Sequence, residues 1–158
     1  MKYEMTSPLG FETKVCSRCG GSGQYSFNQI DGSRCYGCNG EKFQYTKRGK
    51  AAKLFYVESL NIMPADVKVG QRIDNGCGKY TVAEIVGVEK SGAYIKNGVT
   101  IPMEWLVFIS AQGTRVSMQV EYPVKLVPHG EEKARLVAAA LAYQDTLTAT
   151  GTPRKRAA

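Results

Sequence analysis

Four cysteines stand in two tight pairs, Cys16-Ser17-Arg18-Cys19 and Cys35-Tyr36-Gly37-Cys38, with two residues inside each pair and fifteen between them. A C-x-x-C turn aims two sulfurs at one point. Two such turns complete a tetrahedron of thiolates and leave no position for water. The chemistry implied is one structural zinc per chain, held by Cys16, Cys19, Cys35 and Cys38, with no open coordination site for catalysis. The other chemistry open to these residues is a pair of disulfides. That needs an oxidising compartment, which nothing else in the sequence points to.

The remaining reactive residues do not assemble into an active site. Cys77, in Gly76-Cys77-Gly78, has no histidine near it in sequence and reads as a small inert thiol beside a turn. His129 follows Pro128 at the start of a helical stretch and reads as a solvated loop residue. Asp31, Asp66, Asp74 and Glu104 form no recognisable acid–base pair, and no P-loop, G-x-S-x-G or H-E-x-x-H occurs. A protein that is not an enzyme is expected.

Glycines follow both cysteine pairs. The first continues Gly20-Gly21-Ser22-Gly23, giving C-x-x-C-x-G-x-G, and the second continues Asn39-Gly40-Glu41, keeping the first glycine of that pattern and losing the second. Over about residues 14–45 this resembles the cysteine-rich zinc finger of the DnaJ (Hsp40) chaperones. That domain carries four such repeats and two zincs, whereas the two repeats here fill one site. No His-Pro-Asp signature accompanies them, so the resemblance does not extend to a J-domain or to an Hsp70 partner. Single-zinc relatives of the repeat occur in small regulators such as the anti-TRAP protein, which acts by binding another protein. A short zinc-stapled chain without enzyme motifs also resembles accessory factors of phages and mobile elements.

The formal charge of +7 falls to about +5 once a zinc and four thiolates are included. Lys14, Arg18, Arg34 and Lys42 flank the cysteine pairs, where they could simply offset thiolate charge. Lys42, Lys47, Arg48, Lys50 and Lys53 form a longer basic run, and Arg154-Lys155-Arg156 a second cluster. Aromatic residues interleave with these cations. Tyr25, Phe27 and Phe43 are expected to shield the metal as the finger's only core. Tyr36, inside a knuckle, is expected to face outward, and Trp105, in an apolar strand, to lie in a core. Bases stack on exposed rings while cations hold phosphates, so Arg18, Arg34, Tyr36, Lys42, Lys47, Arg48, Lys50 and Lys53 are the candidate nucleic-acid contacts. Two functions fit: a nucleic-acid-binding accessory protein, or an adaptor whose finger grips a partner polypeptide. No small-molecule substrate is expected. Without an apolar run of about 20 residues or an apolar signal core near Met1, the expected setting is cytoplasmic, reducing and away from membranes.

The elements that would position these groups read as α+β, small and mainly β. The expected order is a loose N-terminal arm (1–13), the zinc finger (14–45), a linker helix (46–62), a small SH3-like β-barrel (63–128), a C-terminal helix (129–148) and a basic tail (149–158). In the finger, Tyr25-Ser26-Phe27 and Phe43-Gln44-Tyr45 alternate like strands that pair across an Asp31-Gly32-Ser33 turn. Thr46 is the expected N-cap of a helix over 47–60 with Ala51, Leu54, Phe55 and Glu58 on related positions, and Gly49 weakens its first turn. Strands follow at 67–73, 80–88, 93–96, 99–101, 105–109, 116–122 and 124–127, with turns at Asn75-Gly76 and Asn97-Gly98. Glu131-Glu132 opens the last helix, whose stripe is Leu136, Ala140, Tyr143 and Leu147.

Overall fold

The computed structural model describes residues 7–28, 30 and 32–153. The architecture is α+β and mainly β, and the chain divides into two compact units: Met1–Tyr56 with Arg135–Ala158, and Val57–Ala134. Among the described residues no helix is long and apolar enough to cross a membrane.

The first unit holds four short strands, β1 (Thr13–Val15), β2 (Gln24–Asn28), β3 (Gly32–Arg34) and β4 (Phe43–Tyr45). They pair β1 with β4 and β2 with β3, both antiparallel. The expected pairing of the Tyr25 and Phe43 segments does not form, because each cysteine knuckle sits between two strands and pairs them with the other repeat. Gly32 and Ser33 belong to β3, and Asp31 lies outside the described residues.

Helix α1 (Lys47–Ser59) begins where Thr46 predicts, its Oγ1 accepting the Gly49 N–H at 3.1 Å. Its buried stripe is Gly49, Ala52 and Tyr56, not the Ala51, Leu54, Phe55 set. The reason lies in residues 7–12, expected as part of a loose arm and instead at the centre of this unit. Ser7 and Phe11 are buried, with the Phe11 N–H on Ser7 Oγ and the Phe11 ring against Tyr56. The Glu12 carbonyl accepts the Thr46 N–H at 3.2 Å and lies where a side chain at position 49 would be. Leu54 faces solvent, and Phe55 stacks on Tyr143.

Helix α2 (Gly130–Asp145) has Glu131 and Glu132 in its first turn, as read. Ala140 and Leu147 are fully buried, with Leu136 and Tyr143 half-buried beside them. Buried Gln144 completes the stripe, its Oε1 accepting the Glu12 N–H at 2.9 Å. Thr148, Thr150 and Thr152 then close a hydroxyl cluster. The cluster Arg154-Lys155-Arg156 lies outside the described residues.

The second unit is one antiparallel sheet. Its strands are β5 (Asn61–Ile62), β6 (Arg72–Asp74), β7 (Lys79–Lys96), β8 (Val99–Ser110), β9 (Arg115–Gln119) and β10 (Val124–Leu126), in the order β5-β10-β6-β7-β8-β9. The expected closed SH3-like barrel is absent among the described residues: β5 and β9 are open edges. Closure fails because the β7–β8 hairpin runs far past its neighbours. Strand β6 meets β7 only at Lys79–Thr81, and β9 meets β8 only at Trp105–Ile109, so residues 90–104 project as a two-stranded ribbon. The expected strands 80–88 and 93–96 merge into β7 because bulges absorb the irregularities, one of them between Lys90 and Ala93, where Gly92 takes φ +79°. Asn97 and Gly98, at φ +53° and +78°, make the two-residue turn. Ile73, Val82, Leu106, Phe108, Val116, Met118 and Leu126 supply its buried apolar side chains.

Gly49→Ala tests the packing of residues 7–12 on α1. Propensity favours alanine in a helix by about 1 kcal/mol, but a Cβ here would lie 1.9 Å from the Glu12 carbonyl oxygen. The variant should lose about 1–3 kcal/mol in urea unfolding. A stabilised variant would show that Glu12 does not sit against this helix.

Candidate metal centre

The two knuckles are one unit written twice with an offset of 19 residues. Cys16 and Cys35 each follow a strand, β1 and β3, and a second strand leaves each knuckle, β2 and β4. The backbone bonds repeat with the same offset. The Cys16 N–H donates to the Lys42 carbonyl at 3.0 Å, and the Cys35 N–H to the Gly23 carbonyl at 3.0 Å. Ser22 N–H meets the Cys19 carbonyl at 3.1 Å, and Glu41 N–H the Cys38 carbonyl at 2.9 Å. The conformations match as well: Gly20 and Asn39 at φ +58° and +52°, Gly21 and Gly40 at +87° and +80°, Gly23 and Lys42 at +81° and +73°. Lys42 therefore adopts the left-handed backbone of the glycine its repeat has lost, at a cost of about 1–2 kcal/mol.

This symmetry converges four sulfurs. All lie within 4.8 Å of one another, with Cys16 Sγ 3.9 Å from Cys35 Sγ and Cys19 Sγ 3.7 Å from Cys38 Sγ. A tetrahedral thiolate site with bonds of about 2.3 Å has edges of about 3.8 Å, so the donor set fits one metal ion. The thiols are free and far outside the ~2.05 Å of a disulfide. Cys16, Cys35 and Cys38 are buried and pack with partly buried Cys19 as the core of the finger. The expected aromatic shield is not there: Tyr25 and Phe27 are exposed, Phe27 by 78%. Half-buried Phe43 packs edge-on against Tyr45.

Backbone amides prepare the sulfurs unequally. Burial raises the Cys19 pKa, but the N–H groups of Gly23 and Gly21, with the Cys16 and Cys38 thiols, outweigh it and bring it down to about 6. Cys38 is pushed up to about 11, by burial first and then by its three cysteine neighbours, against a single N–H bond from Lys42. A metal ion held by these four sulfurs would have to displace the Cys38 proton, and its charge would offset the repulsion among the thiolates.

The candidate contact residues are dispersed around this centre. Exposed Arg18 lies between two rings, its Cζ 3.7 Å from the Tyr36 centroid and 4.3 Å from that of Tyr25. Gly37 makes room, since a Cβ there would meet Arg18 Cβ at 3.3 Å. Tyr25, expected to shield the metal, is instead the second ring against Arg18. Arg34 crosses Gly40, and with Lys42 it lines a groove beside the β2–β3 pair. Lys47, Lys50 and Lys53 are exposed on α1, with Lys53 Nζ 4.5 Å from the Tyr45 centroid. Arg48 is different. It pairs with Glu12 at 3.3 Å and Asp145 at 3.7 Å and donates to the Gln144 carbonyl, so its charge is used inside the unit. Cys77 and His129 are exposed. Trp105, expected in a core, is half-exposed with its N–H on the Ser91 carbonyl.

No family model, curated protein or solved structure matches this chain. The likeness to the DnaJ-type finger rests on the two C-x-x-C motifs and their glycines.

Metal analysis of the purified protein should give one ion per chain, lost in Cys35→Ser and kept in Cys77→Ala. Affinity should fall as pH is lowered, because protons compete for the same sulfurs. Retention of the metal by Cys35→Ser, or its loss from Cys77→Ala, would overturn the ligand set. Lys42→Gly relieves the left-handed strain against the greater entropy of unfolded glycine. It should unfold at the same denaturant concentration or a higher one, gaining up to about 1 kcal/mol; a clear drop would contradict the equivalence of positions 23 and 42.

Proposed function

We propose that the four cysteines bind one structural zinc, and that the unit built on it is a non-enzymatic accessory module that binds nucleic acid through a basic face. Tetrahedral sulfur suits zinc or iron. Zinc is favoured because a closed four-thiolate site needs no redox chemistry. A site built of reduced thiolates suits a reducing, cytoplasmic setting.

The observation that carries the nucleic-acid reading is segregation of charge between the two units. The first unit contains thirteen basic and five acidic residues, eight and two of them within residues 13–56, whereas the second contains eight basic and nine acidic ones. The positive excess is thus concentrated around the metal, beyond what a −2 zinc–thiolate centre would neutralise. Lys47, Lys50 and Lys53 recur every three residues on exposed positions of α1, and Arg18 between exposed Tyr25 and Tyr36 offers rings for base stacking beside a cation. The face comprises Arg18, Arg34, Tyr36, Lys42, Lys47, Lys50 and Lys53, and leaves out Arg48.

Fluorescence anisotropy with single- and double-stranded probes at two salt concentrations tests this. Replacing Lys47, Lys50 and Lys53 by alanine should weaken binding across all sequences and make the logarithmic salt slope shallower by roughly 0.7–0.9 for each phosphate no longer neutralised. No binding by the wild type at the lower salt, with a polypeptide partner that survives nuclease treatment, would replace this reading with that of a protein–protein adaptor. Iron instead of zinc in the metal analysis would overturn the cofactor assignment.

A further inference from the structure

Beside the metal centre lies a shallow polar groove of about 380 Å³ between the glycine loops, lined by Ser22, Gly23, Ser33, Arg34, Gly40 and Lys42, with Gln24 along its wall. Among the described residues, none that lines it is acidic. Two features set it apart from ordinary basic surface. The Arg34 stem is laid over Gly40, where a Cβ would come within 3.1 Å of Arg34 Cγ. Lys42 occupies φ +73°, the conformation that the other repeat gives to Gly23 at +81°. A long cationic side chain held in a strained backbone, where glycine would serve the fold, points from strain to function.

We infer that this groove is a phosphate subsite that takes a backbone phosphodiester of a nucleic-acid strand. The inference rests on the nucleic-acid reading above and deepens it by naming where one phosphate goes. Arg34 and Lys42 supply the charge, one as a planar fork and the other as a compact ammonium. Ser33 lines the same groove, while the Ser22 hydroxyl is held by the Cys19 and Gln24 carbonyls and fixes the loop instead. Inorganic phosphate shares the chemistry but lacks the chain that would carry neighbouring phosphates to other cations.

The test uses the full zinc-loaded chain and a fluorescein-labelled oligothymidylate, with Lys42→Gly, Arg34→Gln and the double variant. Lys42→Gly is the informative one, because it removes the cation while relieving the backbone. It should bind about three- to tenfold more weakly near 50 mM salt, with a slope shallower by roughly 0.7, and its melting temperature should not fall. Arg34→Gln should show the same weakening, and inorganic phosphate at constant ionic strength should shift the amide resonances of Gly23 and Lys42. If the wild type binds and both single variants keep its affinity and slope, the groove assignment is overturned while the wider reading stands. If the wild type binds no oligonucleotide, the wider reading fails and this one with it. A polyglutamate peptide that outcompetes the oligonucleotide would overturn the phosphate assignment. If Lys42→Gly proves less stable, Arg34→Gln decides.

Discussion

Convergence of four sulfurs on one point is the constraint from which the finger follows. A segment of this size has too little apolar volume to fold alone, and its two most exposed ring positions, Phe27 and Tyr36, contribute nothing to its interior. Its core is the cysteine cluster itself. Thiolates packed at 3.7 and 3.9 Å repel one another and lose hydration, so the cluster is stable only with a cation at its centre or with protons on most of its sulfurs. Two knuckles related by an internal repeat meet the geometric demand cheaply, because one loop solution is used twice. Each knuckle also ties the first cysteine of its pair to the other repeat, Cys16 to Lys42 and Cys35 to Gly23. Each half thus supplies a backbone acceptor that the other half's first cysteine uses, which couples the two knuckles.

Glu12 connects that module to its helices. Its N–H, carbonyl and carboxylate each have a separate partner: Gln144 on α2, Thr46 at the cap of α1, and Arg48 one residue into that helix's first turn. Because Glu12 lies beside β1, the strand entering the first knuckle, the orientation of both helices in this unit is referred back to the metal centre. Gly49 is what allows the approach. A residue that propensity scores as a weakness is here the condition for backbone to lie directly on a helix.

The legible and illegible parts of the sequence divide by range. Short-range signals agree with the structure: the C-x-x-C spacing brings four sulfurs together, Thr46 caps its helix, Asn97-Gly98 turns the hairpin, and Leu136, Ala140 and Leu147 face inward. Readings that depend on distant partners do not. The stripe on α1 differs from expectation because its partner is backbone from residues 7–12, which carry no periodicity. Strand count suggests a barrel, yet closure depends on strand length, and bulges fuse two expected strands into β7. Arg48 reads as a surface cation because Glu12 and Asp145 are far from it in sequence on either side. Lys42 reads as a missing glycine; that the backbone keeps the glycine conformation needs coordinates.

Charge and strain then converge on the same residues. Glycine would fit position 42 without strain, since the backbone there already takes the shape of Gly23. A lysine there costs stability in every molecule, and a solvent-exposed cation needed only for solubility could sit at any unstrained position nearby. The opposite holds for Arg48, whose charge is spent on Glu12 and Asp145. Of two basic residues six apart in sequence, one is held in place by the fold and the other is held against it. With residues 57–134 near neutrality, the cations around the cysteine cluster are the less compensated ones and would contribute most to counterion release. A change in salt slope on replacing Lys42 therefore isolates that one cation from the rest.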